Sequence, residues 1–209
     1  YAIASCLVGS EMCIRDRSND DSLHVVVGDA TGHGMTAGMM VSITKAGLMG
    51  SPQNIPPNEI SYGLNRIIKD IELGKNKMAI NIAKFTTDKV EFTSAAMPPV
   101  YHYIGNTGAV DELLLEGLPL GSFKGETYSL INMKSQIGDA FVFLSDGLPE
   151  VENQNGEMLG YKAVLECIKS NGHLSAEEIK QSLLDLGEAW LNGLQNQDDI
   201  TIVVVKKLK

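Results

Sequence analysis

Residues 23–40, LHVVVGDATGHGMTAGMM, decide between two fold classes. The run from Leu23 to Gly28 is apolar, rich in β-branched residues and of strand length, which predicts a buried strand. Small and flexible residues fill the segment Met35 to Leu48, which predicts a buried helix. Between them, Gly32-His33-Gly34-Met35-Thr36-Ala37 fits the dinucleotide-binding pattern G-x-G-x-x-G/A, which would make the chain a doubly wound α/β domain. That reading fails downstream. The pattern needs a second parallel strand ending in an acid about 20 residues on, and SPQNIPPNEI occupies that region. Asp29, Ala30 and Thr31 also separate the strand from the glycines. A P-loop is excluded because no Gly-Lys-Ser/Thr follows.

Working outward, PPNEISYGLNRIIKDIEL places Ile60, Leu64, Ile67, Ile68 and Ile71 on one helical face, with Pro57 and Asn58 as start signals. MAINIAKFTTDKVEFTSA predicts two strands around a Thr-Thr-Asp-Lys turn. Further strands are expected at Val100 to Ile104, Thr127 to Ile131, Ala140 to Leu144 and Ile200 to Val205. Between the last two lie a short helix near Lys162 to Ile168 and a stronger one from Ser175. There Ser175 and Glu178 form a capping box, and Ile179, Leu183, Leu186 and Trp190 make the apolar stripe. Strands grouped in the middle with helices toward both ends favour an α+β domain of antiparallel sheets covered by helices.

The 209 residues suit one domain able to bury a sizeable core, and 44% hydrophobic with 21% charged residues is ordinary globular composition. A net charge of -9 argues against nucleic acid as a partner, because phosphate-backbone affinity rests on clustered Lys and Arg. No apolar run approaches the ~20 residues of a membrane-spanning helix, so no membrane contact by this domain is expected. Cys6, Cys13 and Cys167 are odd in number and lack metal-ligand spacing, which predicts a reduced, cytoplasmic setting. The chain opens on Tyr1, as a piece of a longer reading frame would. Residues 5–17, SCLVGSEMCIRDR, resemble translated read-through of a sequencing adapter, so residues 1–17 are expected to be non-native and the domain to run over 18–209 with its N-terminal part missing.

Three places join a strand end to acid: Asp29 after Leu23 to Gly28, Asp146 in FVFLSDG, and Asp198 with Asp199 in NQDDITIVVV. If the last strand runs antiparallel to the other two, all four carboxylates converge at one sheet edge. Like charges that close resist ionisation unless a cation joins them. Hard oxygen donors suit Mg²⁺ or Mn²⁺, and the scarcity of His and Cys pairs disfavours zinc. Gly28, Gly32, Gly34 and Gly147 would allow tight turns and close backbone approach. Taken singly, each acid also reads as a turn former or helix cap.

Together, VVVGDATGHGMTAGMM, FTSAAMPPVYHY, GLPLGSF, GDAFVFLSDGLPEVENQNGEMLG and QDDITIVVV resemble, in order and spacing, the SpoIIE-type (RsbU-like) serine phosphatases of the metal-dependent protein phosphatase 2C superfamily. The resemblance runs from about Leu23 to Val205. It implies two packed antiparallel β-sheets flanked by helices, an α/β/β/α sandwich. It also implies hydrolysis of phosphoserine or phosphothreonine on proteins with two Mn²⁺ or Mg²⁺ ions. By resemblance Asp29 bridges the metals, Ala30 offers its backbone carbonyl, Asp146 is the metal-binding acid of the SDG motif, and Asp198, with Asp199, closes the set. A metal-activated water would attack phosphorus, so no nucleophilic Ser or Cys is required.

His33 is weighed as a water-orienting or proton-donating group and reads more simply as a local hydrogen-bonding residue. Met97, Pro98 and Pro99 are read as packing residues, and Cys167 as core. One departure from the family stands out. A Gly-Gly-Asp motif expected upstream of Asp29 is replaced by the adapter-like segment, and Asp16, Asp20 and Asp21 lack its glycines.

Two hypotheses follow. One is a bacterial signalling phosphatase acting on a phosphorylated regulatory protein such as an anti-sigma-factor antagonist. The other is a catalytically impaired pseudophosphatase that serves as a docking module. By resemblance, an upstream sensory or receiver domain, in some members membrane-anchored, is expected in the full-length protein.

Overall fold

A computed structural model describes residues 1–7, 12–17, 22–52, 54–196 and 198–209, with the backbone alone for 6–7 and 12–17. Ten strands and four helices follow in chain order: β1 (Ala2–Leu7), β2 (Met12–Arg17), β3 (Leu23–Ala30), α1 (Met35–Gly50), α2 (Pro57–Ile71), β4 (Met78–Phe85), β5 (Lys89–Ala95), β6 (Val100–Tyr103), β7 (Val110–Leu113), β8 (Ile131–Lys134), β9 (Ala140–Leu144), α3 (Tyr161–Asn171), α4 (Ala176–Leu191) and β10 (Thr201–Lys206). They form two units, each with a five-stranded antiparallel sheet and a pair of helices. The α+β expectation of two antiparallel sheets with helices is met.

The first unit holds the sheet β1-β10-β9-β6-β7. Alternate residues Ala140, Val142 and Leu144 of β9, with Ile202 and Val204 of β10, form one core with Val164 and Ile168 of α3 and Ile179 and Leu183 of α4. Phe141, Phe143, Val203 and Val205 on the opposite phase are buried as well. A strand covered on both faces must be apolar throughout, which is why AFVFL and TIVVV show no alternation. Each fully buried Leu, Ile or Val contributes roughly 1.5–3 kcal/mol. The capping box forms as read: the Ser175 hydroxyl accepts from the Glu178 amide at 3.3 Å, and the Ser175 amide donates to the Glu178 carboxylate at 3.0 Å.

The second unit holds the sheet β2-β3-β4-β5-β8. Val26 and Ala30 of β3 and Ile80 and Ile82 of β4 pack with Met40 of α1 and with Ile60, Leu64 and Ile68 of α2. Pro57 opens α2, where its missing N–H costs nothing.

The sequence reading needs correcting in several places. The strand placed at Thr127 to Ile131 lies instead at β8, Ile131–Lys134, and β7 was not foreseen. α1 is not a buried helix: only Ala37, Met40 and Thr44 are buried, and Met35 is 84% exposed. In α2, Ile67 and Ile71 lie outside the buried stripe. Residues 1–17, expected to be non-native, carry the edge strands β1 and β2, paired with β10 and β3, which leaves that expectation as it stood. Ladder hydrogen bonds are made by backbone, so an edge accepts a strand with little regard to its side chains. Residues 8–11 of that segment, together with Asp20 and Asp21, lie outside the described residues, as do the side chains of Cys6, Cys13 and Asp16.

Candidate active site

β9 and β10 pair antiparallel, with Leu144 opposite Ile202. Two residues on, this register sets Asp146 against the approach of the chain to β10, where Asp198 and Asp199 lie. Ser145 locks that junction. Its amide donates to the Thr201 carbonyl at 3.1 Å, its hydroxyl accepts from the Thr201 amide at 3.0 Å, and the same hydroxyl donates to the Asp199 carbonyl at 3.4 Å. Gly147 lets the two segments touch, because a Cβ there would coincide with the Asp199 carbonyl. The far end of β9 is pinned by Asp139, whose carboxylate accepts from the Gly105 and Gln136 amides at 2.9 and 2.8 Å and pairs with His102 at 3.1 Å.

Beyond Asp146 the chain makes one helical turn, the Glu150 amide donating to the Asp146 carbonyl at 2.9 Å. The turn returns Glu150 toward the acids. Burial, and then the charge of Asp198, push the Asp146 carboxyl above its ordinary pKa, against the pull of its own and the Gly147 backbone amides. Glu150 is raised by burial, then by Asp146 and Asp198. The Tyr161 phenol is raised by burial, then by Asp146 and Glu150. Asp146, Asp198, Glu150 and Tyr161 therefore share one electronegative neighbourhood.

Glu150 and Tyr161 were missed by the sequence reading. The available signal was Glu150 standing four residues after Asp146 in SDGLPE.

Asp29 is placed differently. It lies inside β3, seventh of eight residues and opposite Ala79, not after the strand as read. It is half-buried, on the strand face that bears Val25 and Val27, away from the helix-facing Val26 and Ala30. β3 belongs to the other sheet, so strand pairing joins Asp146 with Asp198 and Asp199 but does not bring Asp29 to them. The loop after Ala30 is held by the Thr31 amide on the Lys77 carbonyl at 3.0 Å and by the Asn76 side chain on the Thr31 carbonyl at 2.9 Å. Gly32 and Gly34 sit at φ 85 and 77, which explains their type, whereas Gly28 clears the Met78 side chain and has no turn role. His33 is exposed, Met97 is buried, and Cys167 is half-buried with its thiol raised by burial.

The donors at the β9–β10 edge suit a hard divalent cation in kind, being carboxylate oxygens, with Asp146 and Glu150 raised first by burial and then by neighbouring negative charge. Among the described residues, no three His, Cys, Asp or Glu side chains stand close enough to hold an ion.

Residues 19–208 match the family described as Stage II sporulation protein E (SpoIIE). The chain belongs to the SpoIIE family. It is similar to the phosphoserine phosphatase RsbU of Bacillus subtilis, with 26% identity over 190 residues, covering 90% of this chain and 56% of that protein's length. Its fold is that of the SiaA-PP2C domain of Pseudomonas aeruginosa, with TM-score 0.84 and 17% identity over 98% of this chain and 85% of that one. A second similar structure is the catalytic domain of the serine/threonine protein phosphatase PstP in complex with two manganese ions, with TM-score 0.72 and 12% identity over 100% and 98% of the two chains. This SpoIIE-family domain thus has the protein phosphatase 2C fold. No helix among its described residues is long and apolar enough to cross a membrane.

Proposed function

We propose that the domain is a metal-dependent protein-serine/threonine phosphatase of bacterial signal transduction. The observation that carries this reading is the β9–β10 edge. A buried Ser145 and a sterically required Gly147 tie the two segments together, and Asp146 stands there at the cost of burial and of the nearby charge of Asp198. A carboxylate kept buried beside a second acid in a cleft is a mark of a functional site.

Asp146 and Asp198, with Asp199 beside them, are the proposed ligands at this edge. Asp29 and the Ala30 carbonyl are assigned to metal binding from the motif alone. Two Mn²⁺ or Mg²⁺ ions would supply an acidified water and offset charge on the phosphoryl oxygens. Asp146 and Asp198 would hold a cation where Ser145 ties the chain after β9 to Thr201 and to the Asp199 carbonyl. Glu150 adds negative charge that favours a divalent over a monovalent ion. A small phosphorylated regulatory protein, such as an anti-sigma-factor antagonist, is the proposed substrate, and the cytoplasm the proposed compartment.

The test is release of inorganic phosphate from a phosphoserine protein, with Mn²⁺ and with chelator. Turnover that needs Mn²⁺ and drops by about two to three orders of magnitude in Asp146→Asn, the scale of losing a group that stabilises transition-state charge, supports the reading. Turnover indifferent to chelator removes it.

A second reading has one observation in its favour, the absence of a three-ligand cluster among the described residues. A pseudophosphatase would dock its partner without hydrolysis. Genomic sequence across the codon for Ser18 separates the two: a Gly-Gly-Asp there completes the ligand set, and the sequence as it stands favours docking.

A further inference from the structure

Against Gly147 and Asp198 opens a cleft of about 270 Å³, formed wholly within the first unit. Its apolar floor is Met158, Leu191 and Leu194, and Met158 and Leu194 remain 56% and 45% exposed. Grouped in one concave surface beside the proposed centre, they offer apolar area that a partner's aliphatic groups would cover. Glu150 and Glu152 stand in its wall, and among the described residues no Lys or Arg lines it. Neither glutamate has an ion-pair partner among the described residues.

One kind of side chain answers both halves of this lining. Arginine and lysine carry a long aliphatic stem that packs on apolar surface and a cation that stays at the rim. We infer that the cleft takes an arginine or lysine of the protein substrate, lying within a few residues of its phosphoserine. The stem rests on Met158, Leu191 and Leu194, and the cation sits beside Glu150 and Glu152. An uncharged apolar side chain would fill the floor and leave both carboxylates uncompensated. An acidic one is repelled. The chain's net charge of -9 draws basic segments toward it at longer range. The inference rests on the reading above only in placing the phosphoserine at Asp146 and Asp198.

The experiment uses the 209-residue chain and fluorescent phosphoserine peptides that carry one arginine, moved from three residues before the phosphoserine to three after. Each peptide is paired with a copy in which citrulline, the neutral isostere, replaces arginine. Binding is read by anisotropy with Mn²⁺ present and with a non-hydrolysable phosphonate in place of each phosphoserine, so it does not depend on turnover and the carboxylates do not repel the peptide's anionic group. At one or two positions the arginine peptide should bind about three- to tenfold tighter, the range of partly desolvated ion pairs. Glu152→Gln should remove most of that preference, and Leu194→Ala should weaken both peptides of the pair.

Equal or absent binding at every position overturns the inference, as does a preference that survives Glu152→Gln. Hydrolysis of p-nitrophenyl phosphate with Mn²⁺ keeps the two claims apart, and Glu152→Gln should leave it unchanged. Turnover without arginine preference refutes the cleft's role alone. Arginine preference without turnover refutes the catalytic reading alone.

Discussion

Asp146 and Asp29 both stand at the end of an apolar central strand, yet the two ends are built to different tolerances. At Asp146 the chain leaves β9 through a buried Ser145 that holds two backbone groups of the neighbouring segment, and through a glycine whose Cβ has nowhere to go. At Asp29 the acid is still inside β3, and the loop beyond is held by a main-chain bond from Thr31 to Lys77 and by the half-buried Asn76 side chain. Rigid placement is spent where carboxylates repel one another. Asp29, half-buried and paired in register with Ala79, is placed by the strand ladder itself.

Gly147→Ala should break this contrast most severely. The new methyl must displace the Asp199 segment, with an overpacking cost of about 1–3 kcal/mol. Thermal melts should show the loss, and Mn²⁺ affinity should fall with it. Ser145→Ala comes next. It leaves the buried Thr201 amide without its acceptor, a cost of about 1–3 kcal/mol, and denaturant titration checks it. On the other side, Asn76→Ala removes one exposed hydrogen bond and should cost no more than about 0.5–1.5 kcal/mol. A loss there as large as that in Ser145→Ala would erase the distinction drawn between the two ends.

The smallest effect sharpens the electrostatic half of the comparison. The folded pKa values of Asp146 and Glu150 are raised, so the folded chain binds protons more tightly than the unfolded one. Stability of the metal-free chain should therefore be higher below the ordinary carboxylate range and decline as pH rises through the raised values. Melting temperature against pH reads this directly. Saturating Mn²⁺ should flatten the decline, and Asp146→Asn should diminish it.

Local signals made much of the fold legible. The capping box at Ser175 and the apolar runs of β9 and β10 were read from residues adjacent in sequence, and the acid pair followed from one assumption about strand direction. What was not legible depended on distant partners. LHVVVGDA is equally consistent with either sheet, so the sheet to which Asp29 belongs could not be chosen from sequence. α1 carries a single charge, Lys45, and was read as buried although one narrow face suffices to anchor it. β7, VDEL, has an exposed acid pair and little β signal, and only its pairing with β6 makes it a strand. Tyr161 reaches the acids from fifteen residues downstream, where periodicity gives no warning.

The claim at the centre is that the β9–β10 edge is a cation site. Calorimetric titration of Mn²⁺ into the chain and into Asp146→Asn tests it without requiring turnover. Saturable binding, weakened at least tenfold in the variant as expected when a carboxylate ligand is lost, is the predicted result. Identical isotherms for the two proteins would contradict it.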